Sequence, residues 1–450
     1  MRVKKYPPLR LCMVLIAAAA ALPAMARCDA DGNVDNLPEA RAANQPPISD
    51  GIGPRAVLYG MVKEALARSN AIGASKLLAE AAAADAQEAR AQGLPQASAS
   101  ATIGPAYAMT DGLPDTKGIQ VRGSVNITAP LYDGGRIDRL TDWRTQLAEA
   151  ARLGQIGAQE QVALQTVSLA LERSRYRLQA QVYDQYAKKM SCLMDSLQKI
   201  VNTDPGRASE LIQARKTFKQ AELARTQTVT LARQTEIRLR RFVGDGLPST
   251  EGLTSVLLDL PPLDRFQAEA DNASEIAQLA AQAKAADSYA QSVVASQKPQ
   301  VNWALSAAKA QGGGGGNSSL GAGVTVTVPL LNPGTEYAVD SARKRAQAAK
   351  LQVADAVEAR RFRMAEVHEQ ASSAFQRAGS VIDVLRDSER VRAATLMQWQ
   401  QAGRRSLFDV MAAESDHYNL RVSYLNALYD GEQAGALLRS LGVGLALWLQ

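Results

Sequence analysis

In two places along this chain, apolar and polar residues alternate. In the first, Ile119, Val121, Val125, Ile127 and Ala129 interleave with Gln120, Arg122, Ser124, Asn126 and Thr128. In the second, Val324, Val326 and Val328 interleave with Thr325 and Thr327. A period of two puts each set on its own face of a β-strand. Elsewhere the spacing is helical. Tyr186, Met190, Leu193, Leu197 and Ile200 repeat at steps of 4, 3, 4 and 3, the pattern of helices packed side by side as a coiled coil.

Turn residues divide these patterns into two series of elements with the same order. Residues 27–56 are rich in Pro, Gly, Asn and Asp and read as an extended tail. An Ala-rich helix is predicted from Leu58 to Ala91, then strands over 95–108 and 119–130, then helices over Ile137–Val201 and Ala208–Phe242. A connector, 251–264, follows. The order then recurs: a helix over Arg265–Ser296, strands over 300–310 and 320–330 separated by a glycine-rich gap, and helices over Tyr337–Gln401 and Ser406–Leu441. Residues 443–450 read as a C-terminal tail. Pro95 aligns with Pro299, Pro130 with Pro329 and Gly206 with Gly403, so 57–250 and 265–442 read as an internal duplication.

The corners "APLYDGGR" and "VPLLNPGT" sit where strand becomes helix. Pro130 and Pro329 are expected to end strand pairing. Asp133 and Asn332 suit an N-cap, and Pro333 suits the first helical position. Gly134, Gly135 and Gly334 permit the change of direction. Gly206 and Gly403 are expected in the turns at the far ends of the long helices.

A helix of about 65 residues is about 100 Å long. Strands of about ten residues match a membrane-spanning β-strand. Four strands cannot close a barrel, and an open edge in lipid leaves backbone groups without partners. Two chains would supply eight strands, filled by side chains. Three would supply twelve, enough for a pore.

Composition places the chain in a compartment. Arg2, Lys4, Lys5 and Arg10 precede the apolar run Leu11–Leu22 and then Ala24-Met25-Ala26, the form of a secretory signal peptide over 1–26. Removing it takes four of the 51 basic residues, leaving 47 against 45 acidic. No basic stripe remains, so nucleic acid is not an expected partner. Cys28 and Cys192 make no disulfide framework, and Arg27 argues against lipid on Cys28. His368 and His417 lie far apart without cysteine partners, so no metal site is expected, and a solvated or tunnel-facing position is. The glycine run Gly312–Gly316 is not followed by Lys-Ser/Thr, so it is no phosphate loop. No nucleophile motif is present. Neither a cofactor nor an enzymatic activity is expected.

The two corners, the duplication and "GRRSLFDVMAAESDHYNLRVSYLNALYD", Gly403 to Asp430, resemble the TolC-like outer-membrane channel family over about Val57 to Gly442. The resemblance implies a mainly α fold with membrane β-barrel strands. A homotrimer would share a twelve-stranded barrel in outer-membrane lipid above a long periplasmic α-helical barrel. It implies an export duct bound to a periplasmic adaptor (membrane fusion) protein and an inner-membrane transporter. "DPGRASELIQAR" looks more like ducts of type I protein secretion, which would make that transporter an ABC type. The alternatives are the outer-membrane part of a multidrug or metal efflux pump, and a soluble periplasmic coiled-coil scaffold. By the same resemblance, Asp409 would form an acidic ring at the periplasmic entrance, and Arg405 would be the tip arginine. Arg404 and Asp204 are expected as their neighbours in the latch. Ala412 and Gln400 depart from the family pattern, which leaves one ring acid per chain.

Overall fold

The computed structural model describes residues 53–108, 116–248, 253, 256–270, 273–312, 315–402 and 405–450. The expected signal peptide, Cys28, Gly403 and Arg404 lie outside the described residues. The elements run α1 Pro54–Arg68, α2 Asn70–Ala91, β1 Gln96–Ala108, β2 Thr116–Tyr132, α3 Arg136–Thr203 and α4 Ala208–Val243. Then come α5 Leu263–Ala270, α6 Ser274–Ala295, β3 Gln300–Gly312, β4 Gly315–Thr327, α7 Thr335–Ala402, α8 Leu407–Leu441 and α9 Leu445–Leu449. The two halves match closely in length. α2 and α6 have 22 residues each, α3 and α7 have 68 each, and α4 and α8 have 36 and 35. Sixty-eight helical residues extend about 100 Å.

The first helix differs from the sequence reading at both its start and its middle. It begins at Pro54, where proline's missing N–H costs nothing at a helix N-terminus. It breaks at Ser69, whose hydroxyl accepts the Ile72 N–H (3.4 Å) and caps α2. The corresponding helix of the second half is also two helices, α5 and α6, and α5 starts inside the expected connector. The expected C-terminal tail holds α9. The Glu160 carboxylate of α3 accepts the N–H groups of Leu445 and Ala446, and Leu445 and Leu449 are buried. The guanidinium groups of Arg55 and Arg439 both lie over the Trp448 ring, at 4.7 and 4.4 Å from its centroid.

Long helices of mean polarity need partners, because isolated propensity does not hold them. α3 packs along α4, and α7 along α8, each as an antiparallel pair. α3 also packs on α2, α6 and α8. The seven-residue repeat supplies this core: Tyr186, Met190, Leu193 and Leu197 are all buried, and Ile200 is partly so. They join Leu211 and Ala214 of α4 and Leu407, Val410, Met411 and Tyr418 of α8. Burying each large side chain stabilises by roughly 1.5–3 kcal/mol. The connector is tied on by Arg439, which donates to the Asp259 carbonyl (2.6 Å). Nearby Glu432 accepts the Leu257 N–H (3.5 Å) and is fully buried. Burial pushes its carboxyl up to about 8, against the opposing pull of the Leu257 N–H and Arg439.

Candidate channel and entrance

The four strands form one antiparallel sheet in the order β1-β2-β3-β4. Directly opposed residues share a face. Ile103 opposes Val121, Val125 opposes Ala307, Ile127 opposes Leu305, and Trp303 opposes Val324. Ser100 opposes Ser124, Asn126 opposes Ser306, and Asn302 opposes Thr325. One face is therefore mostly apolar, with Lys117, Lys309 and Gln311 toward its far end, and the other carries hydroxyls and amides. Ser100 and Ser124 share a hydrogen bond of 2.8 Å across it. Among the described residues, no helix covers the apolar face: Ile103 is 73% exposed, Leu320 79% and Val324 62%. β1 and β4 are the sheet's edges within one chain. At about 3.4 Å per residue and a 45° tilt, thirteen residues rise about 30 Å, the thickness of a bilayer's hydrocarbon core.

The ladder is longer than alternation alone indicates. β4 starts at Gly315, inside the expected glycine-rich gap, and ends at Thr327, not 330. Glycines and serines carry no apolar signal, and pairing with β3 holds them extended. Pro130 does not end its strand. It opposes Asn302, and β2 runs on to Tyr132 through a bulge between Pro130 and Tyr132, a place where a residue without N–H is tolerated. Pro329 lies two residues beyond the end of β4.

At the first corner Gly134 and Gly135 have φ of +67° and +84°, which makes the turn. Asp133 is not the N-cap; Gly135 is. Asp133 instead holds the corner from outside the helix, accepting the Gly135 N–H (2.9 Å) and the Ile137 N–H (2.6 Å). At the second corner Asn332 accepts the Gly334 N–H (3.1 Å), and α7 begins at Thr335, so Pro333 lies in the turn, not at the first helical position. An open cleft of about 810 Å³ lies beside the first corner, between α3, α6 and α7. Asp138, Arg139, Asp142, Asp287, Lys298 and Lys350 line it. Hydrogen bonds from Lys350 and Gln291 hold the Asp287 carboxyl below its ordinary range.

Below the corners, α3 and α8 meet along a polar seam. The Ser174 and Tyr429 hydroxyls bond, and Arg175 and Gln179 donate to Asn426 (2.9 and 2.6 Å). Tyr186 stacks on Tyr418 with ring centroids 4.7 Å apart. Lys189 lies 3.6 Å from Glu414, which also meets Arg392 of α7 at 3.3 Å. Glu414 is fully buried. The paired numbers fall along one line as the helices run antiparallel. The seam thus fastens the α7–α8 pair to α3 and leads toward the tips. His417 is buried beside this seam in the single chain, contrary to the expectation of a solvated or tunnel-facing ring. His368 meets the Pro261 carbonyl at 3.1 Å. The sequence reading missed Glu414, Asn426 and Tyr429 as fasteners. Their local signal was a polar residue at a core spacing, and their partners lie about 225 to 255 residues away.

The residues expected at the entrance lie at the far ends of the long helices. Asp204 accepts the Gly206 N–H (3.1 Å) and caps the short 3-10 turn Pro205–Arg207. Ser406 caps α8, accepting the Phe408 N–H (3.1 Å), and Asp409 reaches back to the Ser406 N–H (3.2 Å), a capping box. Arg405 donates to Gln398 (3.1 Å). Within one chain Arg405 and Asp204 therefore have separate partners and are not brought together. Asp409 and Arg405 are both exposed in the single chain. Among the described residues, no group of three or more His, Cys, Asp or Glu could hold a metal ion, and no helix is long and apolar enough to cross a membrane.

No protein-family model and no curated protein sequence matches this chain. Solved structures do. CusC, whose structures describe transmembrane channel formation, is similar at a TM-score of 0.78 and 15% identity, over 92% of this chain and 99% of CusC. The outer membrane protein VceC of Vibrio cholerae is similar at 0.74 and 17%, over 86% and 96%. The open-state MtrE outer membrane channel of Neisseria gonorrhoeae is similar at 0.71 and 16%, over 87% and 90%. Identities this low speak for the fold alone, and they cover nearly the whole of each chain. The fold is that of the TolC-like channel-tunnels: mainly α, with a small β-sheet.

Proposed function

We propose that this protein is an outer-membrane channel with a long periplasmic extension, the exit duct of a tripartite export machine. The observation that carries this is the sheet. It has an uncovered apolar face, a polar opposite face, two open edges and a bilayer-matched length, and it continues into helices of about 100 Å. Three copies close those edges into a twelve-stranded barrel, apolar toward lipid and polar toward the lumen, and the helices close into a tunnel below it. A soluble scaffold has no use for an exposed apolar sheet. The partners of such a duct are a periplasmic adaptor protein and an inner-membrane transporter.

Efflux is better supported than type I secretion, because the structures this chain matches end to end are efflux channels. The exported class is then small molecules or metal ions, and the ABC-type partner expected from the sequence loses its support. At the entrance, Asp409 supplies one acid per chain around the axis. Arg404, Arg405 and Asp204 hold neighbouring chains together there. Deleting the gene in its host tests the reading. Efflux requires increased sensitivity to at least one antibiotic, dye or metal salt, with an unchanged profile of secreted proteins. Loss of a secreted protein without any change in sensitivity supports secretion instead.

A further inference from the structure

We propose that Arg122 is a selectivity residue of the barrel: one copy from each chain forms a cationic ring in the lumen that favours anionic solutes over cations. The proposal rests on the channel reading above. It adds the sign of the charge that a solute meets on its way through the sheet.

Register fixes the face. Arg122 opposes Thr102 on β1 and Ala310 on β3, and Ala310 opposes Asn317 on β4. This row lies on the face that carries hydroxyls and amides, the one turned to the lumen when the apolar face meets lipid. Arg122 is exposed. Among the described strands it is the only charged residue on that face, because Lys117 and Lys309 lie on the other. None of the four strands contains Asp or Glu. The rows on either side are mostly Gly, Ala and Ser. The polar wall of the sheet therefore offers Arg122 no counter-ion, and Arg122 is its longest side chain.

The duplication sets the spacing. Ile103 and Val121 oppose each other in the first hairpin, and their counterparts Ala307 and Leu320 oppose each other in the second. By the same correspondence, Thr102 and Arg122 match the opposed pair Ser306 and Gly321. A ring of three chains thus alternates three arginines with three glycines at one level. Twelve strands about 4.8 Å apart and tilted about 40° make a wall of about 12 Å radius. An arginine standing on that wall reaches about halfway to the axis. Arg122 is six residues from Thr116, the outer end of β2, so the ring lies about 15 Å inside the barrel and not at its mouth. Charges of one sign between low-dielectric walls focus the field on the path between them. A guanidinium also presents a planar fork of donors that fits carboxylate and phosphate groups. Anionic solutes are drawn to such a ring, and cations are held back.

The test is single-channel recording of the full mature protein in planar bilayers under a KCl gradient, at about 10 mM and again at about 1 M salt. The reversal potential gives the chloride-to-potassium permeability ratio. At the lower salt, Arg122→Gln should lower that ratio several-fold and Arg122→Glu should lower it further, while Arg122→Lys stays near the wild type. At about 1 M the differences should vanish, because charge is then screened within about 3 Å. All other charges along the path are common to the four proteins, so the comparison isolates residue 122. A conducting channel whose ratio ignores residue 122 would overturn the inference and leave the channel reading standing. A loss in Arg122→Lys as large as in Arg122→Gln would also overturn it, since charge would then not be the cause. Labelling decides the face even in a closed channel. In proteoliposomes, Arg122→Cys should react with a charged, membrane-impermeant thiol reagent and Val121→Cys should not. Protection at position 122 would overturn the inference, and reaction at position 121 in its place would overturn the channel reading as well.

Discussion

The first corner can be tested with two neighbouring glycines that differ in one respect. At Gly134, φ is +67°, and an added Cβ would stand 2.7 Å from the Lys298 Cβ, 2.8 Å from its Cδ and 3.2 Å from the Ala295 carbonyl oxygen. The Lys298 Cβ is anchored to the backbone and cannot swing aside as a chain end could. At Gly135, φ is +84° and nothing lies within 4 Å. A left-handed L-residue costs about 1–2 kcal/mol, and forced overpacking adds typically about 1–3 kcal/mol. Gly135→Ala should therefore destabilise by about 1 kcal/mol and Gly134→Ala by about 3 kcal/mol. The second also strains the bond from Lys298 to the Gly134 carbonyl (3.1 Å). Gly334 is an internal control. Its φ is not left-handed and its nearest contact would be Asn332 at 3.4 Å, so Gly334→Ala should change stability by only a few tenths of a kcal/mol. Urea unfolding in mild detergent, at fixed protein and detergent concentrations, ranks the three. Equal losses at Gly134 and Gly135, or a Gly334 loss as large as either, would refute the packing of Lys298 against the corner.

Two further outcomes follow from buried and exposed acids. Glu432 is neutral when folded up to about pH 8 and ionises near 4.5 when unfolded. The folded state thus binds the extra proton, and this group's stabilisation, full below pH 4.5, is lost as pH rises toward 8. The loss is on the order of 3 kcal/mol by pH 7, so Glu432→Gln should flatten the fall in stability between pH 5 and 8, and an unchanged slope would assign it elsewhere. Asp409 both caps α8 and is proposed to charge the entrance. Asp409→Ala should cost about 1 kcal/mol through the cap, and should also weaken block by trivalent cations in single-channel recordings. Block unchanged in that variant would move the acidic ring to another residue.

Periodicity carried most of the fold. Val121, Val125 and Ile127 fixed a face of the sheet, and Met190, Leu193 and Leu197 fixed the side of α3 that is buried. What the sequence left hidden was set by partners. The Gly315–Ser319 stretch is strand because β3 lies beside it. Pro130 stays in the ladder because a bulge accommodates it. Asp133 and Asn332 were legible as corner acceptors, but which residue begins the helix depends on the left-handed glycine beside them. The break at Ser69 was present as a capping serine inside an otherwise continuous helical run. The polar seam was the least legible feature. Glu414 and Tyr429 read as ordinary polar residues of α8 until α3 is laid alongside, because no local pattern reports a contact across more than two hundred residues. The entrance residues were named through resemblance; the structure shows Asp409 in the first turn of α8 and Arg405 just before that helix, and their role at an entrance is a proposal. Their arrangement around an axis belongs to the assembly.

The central claim is that one chain supplies a third of a pore. Purified protein in mild detergent should have the mass of three chains. Added to a planar lipid bilayer from one side, it should insert as unitary conducting steps, and Asp409→Ala should alter the cation dependence of those steps. A stable monomer that inserts and conducts, or a trimer that never conducts under any condition, would contradict the account.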